Sequence, residues 1–322
     1  MYLGIEIGGT KLQLGVGRGD GHLLGLWRGT VDVAAGADGI RRHILTAVPE
    51  LLARSAIARD QIQGIGIGFG GPVDDATHTV IKSHQIEGWD NFPLAEWIAN
   101  MLGWQAVLGN DADVAGLAEA HVGAGKGLSP IFYVTIGSGI GGGLIINGDI
   151  YRGTGRGAAE IGHLRVWTPG VGEEDWESGT LESVASGWGL GQRARIRLAN
   201  REGRGAPLLQ QAGGDPTAIT GQMVATAAEQ GDVFAEEILR EARLCLAHAL
   251  CHVIALLCPR RIIIGGGVSL MGERLLFAPL RETVGRFVFA PFRGLTDIVP
   301  AALGEEVVVH GALALARRRL GG

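Results

Sequence analysis

Thr135-Ile136-Gly137-Ser138-Gly139-Ile140-Gly141-Gly142-Gly143 lies between two runs of β-prone sequence. Gly137, Gly139 and Gly142 match the spacing G-x-G-x-x-G of a dinucleotide-binding turn. That fingerprint needs a strand before it and a helix after it. Ile131 to Ile136 supplies the strand, but Leu144-Ile145-Ile146, Asn147-Gly148 and Asp149-Ile150-Tyr151 follow. Asn-Gly between apolar runs signals a β-hairpin. The chain therefore reads strand, glycine turn, strand, tight turn, strand, and the dinucleotide reading is set aside. Taken alone, the turn reads equally as a purely structural glycine hairpin.

The amino terminus repeats this grammar about 130 residues earlier. Tyr2 to Ile7 is apolar apart from Glu6, Gly8-Gly9-Thr10 turns, and Leu12 to Val16 alternates as a strand does. Asp20-Gly21 marks a second turn, and Leu23 to Trp27 continues. Glycine in such turns offers bare backbone N–H groups, positive φ and room for a large anion. Two such turns, each inside a meander, predict a duplicated fold that grips one polyphosphate from two sides.

Length and composition suit a two-domain globular protein. A chain of 322 residues with 46% apolar residues can bury an ample core. Glycine accounts for 55 residues, well above the usual ~7%, and demands many tight turns. A net charge of −5 provides no broad attraction to nucleic acid or an anionic membrane. The apolar stretch Cys245–Cys258 is too short to span a bilayer, and Met1 leads into a strand rather than a signal peptide, so a cytoplasmic location is expected. Cys245, Cys251 and Cys258 share one predicted helix and read as packing residues, not a disulfide framework. His248 and His252 stand four apart on that helix, but no glutamate of an H-E-x-x-H pattern lies between them, which favours packing over zinc.

Helices are predicted at Ile40–Arg54, Leu94–Leu102, Val114–His121, Leu181–Arg197, Gly221–Glu229, Val233–Leu257 and Gly311–Leu320, and further strands at Ile65–Gly68, Gln105–Leu108 and Arg261–Ile264. Strands alternating with helices after each meander imply α/β sheets covered on both faces. A meander followed by crossovers, twice over, resembles the sugar kinase, actin and Hsp70 (ribonuclease H-like) fold, with two domains and a central nucleotide cleft. The expected division is a smaller domain of residues 1–113 with 306–322 and a larger one of residues 114–305. The region Asp113–Gly127 is expected to cross between them, and the terminal helix to pack back on the first half.

Six motifs in order carry a closer resemblance: Gly4-Ile-Glu-Ile-Gly-Gly-Thr-Lys11, Gly109-Asn-Asp-Ala-Asp113, Gly137-Ser-Gly-Ile-Gly-Gly-Gly143, Glu160-Ile-Gly-His163, Leu181-Glu182 with Ser186-Gly187, and Ile264-Gly-Gly-Gly-Val268. The chain resembles the ROK family of sugar kinases and sugar-responsive repressors from residue 2 to about residue 315. The first strand opens the chain without a helix-turn-helix segment ahead of it, which implies the kinase branch. The resemblance implies an ATP-dependent hexose kinase acting on a sugar hydroxyl, O6 of glucose first, with fructose, mannose, N-acetylmannosamine or N-acetylglucosamine as alternatives. A non-catalytic sugar-binding regulator is the reading from another class. Implied partners are the sugar and ATP (occasionally polyphosphate) with Mg²⁺, and a homodimer.

The resemblance also assigns residues. Asp111 matches the catalytic aspartate that accepts the hydroxyl proton; read alone, Asp111 or Asp113 would equally cap the following helix. Asn110, Glu160, His163 and Glu182 match sugar ligands, residue types that read hydroxyls by donating and accepting. Gly70-Gly71-Pro72 matches a segment lining the sugar pocket, with Gly71 at its centre, and Gln85–Trp89 a loop close by. Gly8, Gly9, Thr10 and Lys11 form the first phosphate turn and Gly137, Ser138 and Gly139 the second, while Gly265, Gly266 and Gly267 lie against the adenosine.

Two departures stand out. The family's first phosphate loop carries aspartate where this chain has Glu6, which predicts tuned activity. Typical members bind a structural zinc through the G-H histidine and three cysteines. Those cysteine positions are Glu173, Asp175 and Thr180 here, a poor donor set for Zn²⁺, so no structural zinc is expected. Segment Pro169–Gly179 is then expected to rest on ordinary packing by Trp167 and Trp176. Gly109 and Asp113 also replace a family glutamate and asparagine beside the catalytic position.

Overall fold

A computed structural model describes residues 1–83, 85–154, 157–169, 176–200 and 205–321. In chain order the elements are β1 (Tyr2–Ile7), β2 (Lys11–Gly17), β3 (Leu23–Thr30), α1 (Gly36–Arg54), β4 (Gly64–Phe69), β5 (Val73–Asp74), β6 (Thr79–Val80), α2 (Leu94–Leu102), β7 (Ala106–Asn110) and α3 (Asp111–Val122). They continue with β8 (Ile131–Ile136), β9 (Ile140–Ile146), β10 (Asp149–Ile150), β11 (Arg165–Pro169), β12 (Trp176–Thr180), α4 (Leu181–Ala185), α5 (Gly187–Asn200), α6 (Ala206–Gln211), α7 (Gly221–Glu229), α8 (Val233–Leu257), β13 (Arg261–Gly265), α9 (Ala278–Phe287), β14 (Asp297–Pro300) and α10 (Val307–Leu320).

The two large sheets have one plan. The first runs β3-β2-β1-β4-β7 and the second β10-β9-β8-β13-β14. In each, three consecutive strands lie in reverse order at one side and two later strands extend the other. In the first sheet β1–β2 and β2–β3 pair antiparallel, while β1–β4 and β4–β7 pair parallel. The duplication read from the two glycine turns is therefore a duplication of sheet topology. Asn147 (φ 53°) and Gly148 (φ 74°) form the predicted tight turn between β9 and β10.

The chain divides into two compact units, one of Met1–Tyr133, Gly143–Ala159 and Ala301–Gly322, the other of Val134–Gly142 and Glu160–Pro300. In the first unit, Leu3, Ile5, Leu12 and Leu14 of the sheet pack with Ile40, Ile44, Val48 and Leu51 of α1 in one core. The terminal helix α10 closes onto β1 and β4, as expected from the sequence. Much of the glycine content serves this contact. A β-carbon placed on Gly66 would lie 1.8 Å from the Ala312 carbonyl oxygen, and one on Gly4 2.8 Å from that of Val309. Backbone thus meets backbone where side chains would hold sheet and helix apart.

In the second unit the predicted helix Leu181–Arg197 is broken at Ser186, whose backbone is extended (φ −74°, ψ 165°). Its buried hydroxyl accepts the Gly189 N–H at 3.0 Å and caps the start of α5. The pattern of apolar residues continues across the break, so periodicity alone does not reveal it. Strands β11 and β12 pair antiparallel, with Arg165 opposite Thr180 and Trp167 opposite Ser178. Trp167 is exposed, against the packing role expected for it, and the Trp176 side chain lies outside the described residues. Glu173 and Asp175 lie outside the described residues. No helix among the described residues is long and apolar enough to cross a membrane.

Candidate active site

In the first unit the turn Gly8-Gly9-Thr10 joins β1 to β2, closed by the Gly8 N–H donating to the Lys11 carbonyl at 3.0 Å. Glu6 stands on β1 opposite Gln13 on β2, and both side chains are buried. Lys11 Nζ lies 3.0 Å from the Glu6 carboxylate. Burial pushes the Glu6 carboxyl up from 4.5 to about 7, against the opposing pull of Lys11.

The reason for glycine here differs from the sequence expectation. None of Gly8, Gly9, Gly137 and Gly139 has φ in the left-handed region. At Gly9 and Gly139, space is what a side chain would violate. A β-carbon on Gly9 would stand 1.3 Å from Gln85 Oε1, because the Gln85 carboxamide rests on the turn. From the same loop, Trp89 is fully buried and packs edge-on against Phe69 (5.3 Å) and Phe92 (5.5 Å), making it a core residue.

At the carboxyl end of β7 the chain passes directly into α3, and Asn110 caps it. Asn110 Oδ1 accepts the N–H groups of Ala112 (2.9 Å) and Asp113 (3.3 Å). The cap is therefore Asn110, not Asp111 or Asp113, and Asp111 stands in the first turn of α3. The Asn110 side-chain amide donates to the Gly71 carbonyl at 3.0 Å. Asp111 Oδ1 accepts the Ala112 N–H at 2.8 Å. Gly70 links this carboxylate to the first glycine turn: a β-carbon there would be 3.4 Å from Asp111 Oδ2 and 3.6 Å from the Gly8 α-carbon. Asp111, Asn110, Gly71 and the turn Gly8–Lys11 are thus assembled in one unit.

The second unit assembles the remaining predicted residues. The carbonyls of Gly137 and Ser138 accept the N–H groups of Gly187 (2.8 Å) and Trp188 (3.3 Å) at the start of α5. Gly266 (φ 82°) packs on the strand before this turn, where a β-carbon would meet the Ile136 carbonyl oxygen at 2.6 Å. Gly265 and Gly267 flank it at the end of β13. Glu160 and His163 bracket a short helical turn and are both exposed. The Leu181 N–H donates to the Leu164 carbonyl at 2.9 Å, which ties that turn to α4 and to Glu182. Glu182 Oε2 accepts the Ile140 N–H at 2.7 Å.

Sequence reasoning passed over three residues. Gln85 was read only as part of a loop, and Ser186 as part of a continuous helix. Glu119 on α3 is fully buried, and its carboxylate accepts the N–H groups of Ala124 (2.6 Å), Ala302 (2.9 Å) and Leu303 (3.0 Å). A glutamate on a predicted helix gives no local sign of partners so distant in sequence. His248 packs edge-on against Phe287 at 5.0 Å, in keeping with packing. A cavity of about 370 Å³ opens between α8, α9 and β14, and none of the predicted site residues lines it.

The chain is similar to known proteins along nearly its whole length. The family model described as ROK family covers residues 2–319. A glucokinase of Thermotoga maritima is 32% identical, with 99% of this chain and 98% of that protein aligned. A glucokinase of Streptomyces coelicolor is 33% identical over 98% of each. Among solved structures, a ROK family glucokinase from Streptomyces griseus in complex with glucose and AMPPNP superposes with a TM-score of 0.80 at 32% identity, covering 98% of this chain and 99% of that one.

Proposed function

The chain belongs to the ROK family and is a sugar kinase, and from that premise we propose that it transfers the γ-phosphoryl group of ATP to a hexose hydroxyl, O6 of glucose foremost, with Asp111 as general base. The observation that carries this reading is the meeting of Asp111 and the first glycine turn at Gly70. Phosphoryl transfer asks a protein for positioning, neutralisation of charge and a base for the attacking hydroxyl. In this reading the Asp111 carboxylate, at the amino end of α3 and close to the first glycine turn, takes that proton as the hydroxyl oxygen attacks phosphorus. Lys11 adds a cation at the same turn.

Sugar recognition is assigned to Asn110 with Gly71 in the first unit and to Glu160, His163 and Glu182 in the second. Acids and amides suit hydroxyl-rich ligands, and a site built on such bonds rejects analogues lacking the hydroxyl. The nucleotide is assigned to Gly8–Lys11, Gly137–Gly139 and Gly265–Gly267. Mg²⁺ enters as part of the nucleotide substrate, held chiefly by phosphate oxygens and water. Support for glucose and ATP comes from the Streptomyces griseus relative, whose complex contains glucose and AMPPNP.

A coupled ADP-release assay over glucose, mannose, fructose, N-acetylmannosamine and N-acetylglucosamine, with ATP and with polyphosphate as donors, tests the proposal. Glucose with ATP is expected to give the highest kcat/KM. Sugar binding by calorimetry without turnover on any sugar would instead identify a non-catalytic sugar-binding regulator.

A further inference from the structure

We propose that Gly139 is a positioning residue for the sugar: its missing side chain makes room for the Glu182 carboxylate, which the adjacent Ile140 N–H then orients. This rests on the reading of Glu182 as a sugar ligand and adds a second duty to the glycine turn assigned to phosphate.

Four observations bear on this turn, two of them at Ile140 itself. Gly139 needs no special backbone conformation, since its φ lies outside the left-handed region. The three heavy atoms nearest the place its β-carbon would take all belong to Glu182: Oε2 at 2.5 Å, Cδ at 3.2 Å and Oε1 at 3.8 Å. The carboxylate is held there by the Ile140 N–H, which donates to Oε2 at 2.7 Å. On the other side of the same residue, a β-carbon on Gly162 would stand 2.1 Å from the Ile140 carbonyl oxygen, so the Glu160–His163 turn also backs onto Ile140.

The chain fixes Glu182 from its own side as well. Thr180 caps α4 by accepting the Ser183 N–H at 3.2 Å, and Ser183 Oγ accepts the Thr180 N–H at 3.1 Å. Glu182 therefore leaves a rigid first turn, one carboxylate oxygen is engaged by the glycine turn, and Oε1 is left to accept a sugar hydroxyl. A carboxylate with one oxygen already bonded presents the other in a fixed direction, which is what discrimination among hydroxyl positions requires. The glycine turn that receives the donor's phosphates would thus also set the geometry of the acceptor.

Gly139→Ala tests this directly, because the added methyl group presses on Glu182 before anything else. The sugar KM is expected to rise roughly 10- to 100-fold, the scale of one charge-assisted hydrogen bond lost, while the ATP KM moves less than about threefold. Gly137→Ala is the comparison within the same turn, since nothing among the described residues lies within 4 Å of a β-carbon there. It is expected to shift the ATP KM and not the sugar KM. Shortening the acid should relieve the pressure, so the double variant Gly139→Ala/Glu182→Asp should bind sugar better than the product of the two single effects predicts. An unchanged sugar KM in Gly139→Ala, a rise confined to the ATP KM, or strict additivity in the double variant would overturn the inference. Should Gly139→Ala fail to fold, Glu182→Asp alone decides: faster hydrogen exchange at the Ile140 amide together with weaker sugar binding upholds the inference, and unchanged exchange refutes it. Failure of the wild-type protein to bind or phosphorylate any sugar would instead refute the reading on which the inference rests.

Discussion

Glu6 makes folding stability depend on pH in an unusual direction. Its carboxyl rises from 4.5 to about 7, chiefly because burial disfavours the charged form. The folded chain therefore binds a proton more tightly than the unfolded chain across that window. Stability from this proton is fully present below pH 4.5 and is lost as pH rises through about 7. The difference, 7 minus 4.5, is about 2.5 pH units, and at 1.36 kcal/mol per unit it corresponds to about 3 kcal/mol between pH 4.5 and pH 8. The Lys11 ammonium at 3.0 Å already contributes to that figure, by offsetting part of the burial penalty. Glu6→Gln removes the titration and keeps the shape. Unfolding free energies from denaturant titrations at pH 5, 6, 7 and 8 should fall more steeply with pH in the wild type than in Glu6→Gln, the two curves separating by about 3 kcal/mol toward pH 8. Parallel curves across this range would refute the assignment of a raised carboxyl to Glu6.

Two further substitutions probe buried carboxylates. Glu119→Ala removes the acceptor of three backbone N–H groups and should cost roughly 3–5 kcal/mol of unfolding free energy, measured by denaturant titration. Glu241 lies buried between Arg193 and Arg197, so Glu241→Ala should destabilise by roughly 3–5 kcal/mol by removing the buried carboxylate that both guanidinium groups share, while leaving sugar specificity unchanged.

The outline of the fold was legible because its signals are local. Alternation from Leu12 to Val16 and Asn147-Gly148 between apolar runs fixed the two meanders, and both appear in matching sheet positions. The Asn110-Asp111 pair was legible as chemistry, but its division of labour was not. Either aspartate could have capped α3, and only the Asn110 bonds to Ala112, Asp113 and Gly71 show that asparagine does so. The glycine turns were read for positive φ, yet Gly9 and Gly139 are glycine because Gln85 and Glu182 occupy the space beside them. Those partners lie 76 and 43 residues away in sequence (85 minus 9 and 182 minus 139), beyond any periodicity. Ser186 shows the same limit: a hydroxyl that caps a new helix looks, in sequence, like a polar residue within an old one.

The central claim is that Asp111 serves as the base of a sugar kinase. Steady-state turnover of Asp111→Asn, compared with the wild type and paired with a calorimetric sugar affinity, tests it most directly. The account predicts a fall in kcat of roughly 10²–10⁴ with sugar affinity largely kept. Turnover equal to that of the wild type would contradict it.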